Sequence, residues 1–226
     1  TDCEADYTCT LTFAVTAAPA VTFTCGTDVT LPACQTQQQV DDAWALFLAS
    51  TTASGGCNGT LSHNAPPVPP STCGGSVNVT WTYETDCEAD YTCTLTFAVT
   101  AAPPVIFTCG TDVTLPACQT QQQVDDAWAL FLASTTASGG CNGTLSNNAP
   151  PAAPSACGGS VNVTWTYESD CEADHTCTRT FAVTAAPAVT FTCGTDVTLP
   201  ACQTQQQVDD AWALFLASTT ASGGCN

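Results

Sequence analysis

The residues best equipped for chemistry in this sequence are its cysteines. From position 20 onward each 84-residue stretch holds six: Cys25, Cys34, Cys57, Cys73, Cys87 and Cys93, then Cys109, Cys118, Cys141, Cys157, Cys171 and Cys177. An even set at fixed spacing in a small unit points to a disulfide framework. Zinc is the competing reading, but no CxxC occurs and neither histidine recurs at its equivalent position. Six cysteines allow many connectivities. The one expected here is Cys25–Cys93, Cys34–Cys57 and Cys73–Cys87. In the next copy it becomes Cys109–Cys177, Cys118–Cys141 and Cys157–Cys171, with Cys202–Cys225 at the end of the sequence. The first bond would tie the first strand to the last, closing a loop worth about 4 kcal/mol in chain entropy. The second would staple the ends of the helical region.

Carboxylates form the next cluster. Asp86, Glu88 and Asp90 alternate around Cys87, which in an extended chain puts them on one side about 7 Å apart. Ca²⁺ would relieve their repulsion, although the Gly and bidentate Glu of a calcium loop are missing. The plain alternative is a solvated acidic turn. Asn58-Gly59-Thr60 and Asn78-Val79-Thr80, with counterparts at Asn142 and Asn162, fit the N-glycosylation pattern. His63 and His175 could do acid–base work, but their equivalents are Asn147 and Tyr7 or Tyr91. No Ser/His/Asp set, phosphate loop or metalloprotease pattern appears, and we expect no catalysis. Trp44 and Trp81 read as core rather than as binding platforms.

The elements that must position these groups come in copies. Residues 1–84 and 85–168 differ at only six positions (20, 22, 63, 68, 69 and 72 of the first block), and the last 58 residues differ from the second block at five. A period of 84 is one small domain rather than a solenoid turn. Ala101-Ala102-Pro103-Pro104 is the plausible linker between cysteine-dense regions. Cutting there gives complete units 20–103 and 104–187. Residues 1–19 are then the C-terminal strands of an incomplete repeat, and 188–226 the N-terminal part of another. The expected source is a longer array from which this stretch is a window. A unit of this size buries only about 60–65% of its unfolded surface, so its core is marginal and cross-links matter.

Within 20–103, Val21 to Cys25 and Asp28 to Leu31 read as strands. Thr36-Gln37-Gln38-Gln39 is a capping box. Val40, Ala43, Trp44 and Phe47 follow at helical spacing, predicting a helix over roughly 37–50. Asn58 to Pro70 is turn-rich with one short strand. Val77, Val79, Trp81 and Tyr83 alternate with polar residues, as do Cys93, Leu95, Phe97 and Val99. Hairpin pairing of 76–84 with 92–100 follows. Short strands, turns and a buried Trp near cysteines predict a mainly β chain of tandem immunoglobulin-like β-sandwich repeats, each with one short inserted helix and three disulfides. Arg179 stands where other copies have Leu11 and Leu95, on the presumed core side. It must snorkel near a strand end, or the face assignment fails there.

Charge narrows the partners. Twenty acids face one base, for a net charge of -19. Nucleic acid needs Lys and Arg and is excluded as a partner; the same field repels anionic membranes. Charged residues are only 9% of the chain, so Thr, Ser, Asn and Gln must build the surface. No apolar stretch is long enough to span a membrane.

The runs CGGSVNVTWTYETDCEADYTCTLTFAVTAAP and LPACQTQQQVDDAWALFLASTTASGGCNGTLS resemble the HYR-like, immunoglobulin-type repeats of giant cell-surface adhesins of gliding Bacteroidetes. The resemblance covers the whole chain and implies a long extracellular filament for adhesion or gliding, with no catalytic residues. The function expected is therefore a structural stalk segment whose partners are neighbouring repeats or filaments of the same protein. The competing class is a multivalent glycan- or Ca²⁺-binding array gaining avidity from its copies.

Overall fold

The computed structural model describes residues 3–225. The chain divides into two compact units, Thr1–Pro103 and Pro104–Asn226. The first unit contains β1 (Thr22–Thr24), β2 (Val29–Leu31), α1 (Gln37–Leu48), β3 (Thr52–Ser54), β4 (Thr60–His63), β5 (Gly75–Glu84) and β6 (Tyr91–Val99). Residues 3–19 precede these strands without regular structure, and Phe13 is 93% exposed.

The helix starts where its cap dictates. The Thr36 side chain accepts from the Gln39 backbone N–H, and the Gln39 side chain accepts from the Thr36 N–H at 2.9 Å. This reciprocal bond satisfies two donors that a helix start otherwise leaves unpaired. Alternating apolar and Thr residues then set the long hairpin. β5 and β6 pair antiparallel from Gly75↔Val99 to Tyr83↔Tyr91. β4 flanks β5 antiparallel, and β2 flanks β6 in parallel, giving the sheet order β2-β6-β5-β4. β1 and β3 form a separate antiparallel ribbon.

The core lies between the four-stranded sheet and the helix. Val40, Trp44 and Phe47 of α1 meet Val79 and Trp81 of β5 and Phe97 and Val99 of β6. The rings interlock: Trp44 stands edge-on to Phe97 at 5.1 Å and Phe47 edge-on to Trp81 at 5.2 Å. Such geometry adds to area burial. The helix, expected as an insertion on a two-sheet plan, is instead a principal wall of the core, with Phe23 of the β1–β3 ribbon packed at its margin. The opposite sheet face is a hydroxyl surface. Thr80 and Thr94 Oγ1 atoms lie 2.8 Å apart, and Thr96 Oγ1 donates to Asn78 at 3.0 Å.

The second unit contains β7 (Ile106–Thr108), β8 (Val113–Leu115), α2 (Gln121–Ala133), β9 (Thr136–Ser138), β10 (Thr144–Asn147), β11 (Gly159–Glu168) and β12 (His175–Val183). Its four-stranded sheet has the order β10-β11-β12-β8, and Val124, Trp128 and Phe131 fill the same core. Arg179 is half-buried on β12. Its Nε donates to the Gly110 carbonyl at 2.6 Å and an Nη to the Thr178 carbonyl at 3.0 Å, so main-chain oxygens receive the charge at the core margin. Beyond these come β13 (Thr190–Thr192), α3 (Gln205–Ala217) and β14 (Thr220–Ser222). No long hairpin covers α3 among the described residues, and Trp212 is 59% exposed where Trp44 is 6% exposed.

Phe97→Ala should cost the first unit about 3–5 kcal/mol. In urea, the altered unit should unfold well before the second, splitting one transition into two. A single unshifted transition would show that Phe97 is not central to the core.

Candidate functional site

The chemistry sits at the two ends of the long hairpin. β5 is ten residues long, a span of about 33 Å. At its start Gly75 pairs with Val99, and Val99 with Leu31. Ala102 N–H donates to the Cys73 carbonyl at 3.1 Å as the chain leaves the unit. Cys34, just past Leu31, and Cys73 therefore share an exit pole. At the far end of β5, Asp86 N–H donates to the Cys57 carbonyl at 3.0 Å, and the Tyr83 hydroxyl donates to the Gly55 carbonyl at 2.8 Å. Gly56 N–H donates to the Pro19 carbonyl at 2.8 Å, which is where the chain arrives. Cys57 and Cys87 thus share an entry pole.

Cys25 is bonded to Cys93 and Cys109 to Cys177, each tying the loop after a unit's first strand to its last long strand. A further disulfide joins Cys118 to Cys225 with a Cα–Cα distance of 5.1 Å. It replaces two expected pairings, Cys118–Cys141 and Cys202–Cys225; Cys202 is a free thiol. Cys34, Cys73, Cys141 and Cys171 are also in disulfides, whereas Cys57, Cys87 and Cys157 are free. Cys34–Cys57, Cys73–Cys87 and Cys157–Cys171 therefore do not form. The reason is distance. Cys34–Cys57, Cys73–Cys87 and their copies would each join opposite poles, roughly 30 Å apart along the strand, while a disulfide needs Cα atoms within about 7 Å. The disulfides that do form require an oxidising environment.

At the entry pole of the first unit Cys57 and Cys87 are neighbours, because Asp86, next to Cys87 in sequence, bonds the Cys57 carbonyl. The neighbouring Cys57 thiol raises the pKa of the Cys87 thiol above its ordinary value, and the carboxylates of Asp86 and Glu88 add to the effect. Asn58 turns the chain here with φ +56°, a conformation Asn tolerates better than most residues. Its Nδ2 donates to Asp86 Oδ2 at 2.6 Å, as Asn142 does to Asp170. Asp86 and Asp90 line a polar hollow with Asn58, Thr60, Glu84 and Thr85. Glu88 is engaged elsewhere, accepting from the Tyr91 hydroxyl at 2.7 Å; that bond raises the Tyr91 pKa. Among the described residues, no group of three or more potential ligands is arranged to hold a metal ion.

The other singled-out residues are dispersed. Asn78 and Asn162 lie on the hydroxyl faces of β5 and β11, accepting from Thr96 and Thr180. His63 accepts from Ala65 N–H at 3.3 Å, and His175 lies 3.7 Å from Glu172. Trp44, Trp81 and Tyr83 are all buried. Sequence reasoning missed the bond between copies, although the 84-residue period and the short Ala-Pro junction held the signal.

Near neutral pH the raised Cys87 pKa leaves less thiolate than an ordinary cysteine has, and thiolate is the nucleophile. Cys57→Ala should therefore speed alkylation of Cys87 near pH 7, with the difference vanishing as pH rises past both values. Equal rates at neutral pH, read by mass spectrometry, would show that the two thiols do not interact. No protein-family model matches the sequence, and no curated protein is similar to it.

Proposed function

We propose that the chain is a stalk segment of an extracellular repeat filament, of the HYR-like adhesin kind, serving surface attachment or gliding. The observation that carries this reading is the position of the two poles. A unit entered at one end of its long hairpin and left at the other adds its length to the thread. The Ala-Pro junction resists bending because it has no Gly-Ser slack. Disulfides support a place outside the cytoplasm, and no helix among the described residues is long and apolar enough to cross a membrane. Near identity between copies leaves no unit with a private ligand.

The burial of Trp44, Trp81 and Tyr83 counts against a glycan-binding array, since stacking on sugar needs exposed rings.

Immunogold labelling of intact source cells with antibody against the 84-residue unit tests the reading. Gold should decorate long threads outside the cell and disappear after surface proteolysis. Label confined to the cytoplasm, or spread without threads, would overturn it.

A further inference from the structure

The Cys118–Cys225 bond is a cross-link between copies. Cys118 belongs to the exit pole of repeat 104–187, and Cys225 lies in the following copy at the position that Cys57 holds in the first unit. The main chain sets up this meeting. Gly224 N–H donates to the Pro187 carbonyl at 2.9 Å, and Ala186 N–H donates to the Cys157 carbonyl at 3.4 Å. One turn of chain thus holds the exit pole of one repeat and the entry pole of the next together. Cys118 has φ +65°, as its copy Cys202 does and Cys34 nearly so at +63°.

The first unit repeats the receiving half of this arrangement. Gly56 N–H donates to the Pro19 carbonyl at 2.8 Å, the counterpart of the Gly224–Pro187 bond. Cys57 therefore stands relative to the incoming chain as Cys225 does. Beside it, next to the Asp86 whose N–H bonds the Cys57 carbonyl, is the exposed thiol Cys87. Each exit pole likewise carries two cysteines. At the exit of repeat 104–187, Cys118 is bonded and Cys157 is an exposed thiol.

We propose that Cys57 and Cys87 are the paired thiols that receive, through two disulfides, a preceding 84-residue repeat of this sequence. One bond is of the Cys118–Cys225 type. The other joins the Cys157 position to the Cys87 position of the repeat that follows. Each bond forms as two thiols give up two protons and two electrons to a disulfide oxidant, such as oxidised glutathione or a disulfide-bonded oxidoreductase, which is reduced to thiols. This rests on the serial-array reading above but not on adhesion.

The test compares the 226-residue chain with the same chain lengthened at its N-terminus by one more copy. Both are oxidised in glutathione buffer, blocked with N-ethylmaleimide, digested unreduced with pepsin and mapped by mass spectrometry. His63 marks the peptides near Cys57, because the other complete copy has Asn147. In the 226-residue chain Cys225 should be found linked to Cys118. In the lengthened chain, maleimide labelling of Cys57 and Cys87 should be lost. Cys57 should be linked to the added copy's cysteine that precedes its helix, and Cys87 to the one that precedes its long strand. A Cys57–Cys87 cross-link in the lengthened chain, or maleimide remaining on both, would overturn the proposal. Either result would leave the cell-surface reading to be decided by the immunogold experiment.

Discussion

The length of one strand governs this molecule. β5 and its partner β6 run from one end of the unit to the other, and no side chain bridges that distance. Cysteines placed beyond the two ends of the strand cannot find each other within a unit. Local strand geometry thereby decides the covalent topology, and the same hairpin supplies Val79, Trp81, Phe97 and Val99 to the core.

That core is small and is built from unlike layers. A capped helix with an aromatic face leans on a mixed four-stranded sheet, and a three-residue ribbon closes the side. The Cys25–Cys93 bond closes a span of 68 residues, restricting the unfolded chain where the apolar interior alone would leave little margin. The acidic turn at the entry pole accepts hydrogen bonds from neutral donors, Asn58 and Tyr91.

Much of the local structure was legible from sequence. The Thr36–Gln39 box and the spacing of Val40, Ala43, Trp44 and Phe47 placed the helix within two residues of its observed end. Alternation in Val77 to Tyr83 and Cys93 to Val99 gave the hairpin. Parallel docking of β2 on β6 left no local trace, because it is decided by contacts across more than sixty residues. The helix could not be recognised as a wall of the core for the same reason. Cysteine partners were hardest. Spacing says how many sulfurs a unit has, but only the position of each along the unit's long axis says whether its partner lies inside that unit.

The outer sheet face has a further implication. Its side chains satisfy one another through hydroxyl and amide groups, as in the Thr80–Thr94 and Thr96–Asn78 pairs. None of these groups gains or loses a proton across the range of natural waters, and none depends on an ionic attraction that brine would screen. A surface knitted this way keeps its wetting and its bonding from fresh water to seawater, and from mild acid to mild alkali, where a coat of paired charges would loosen.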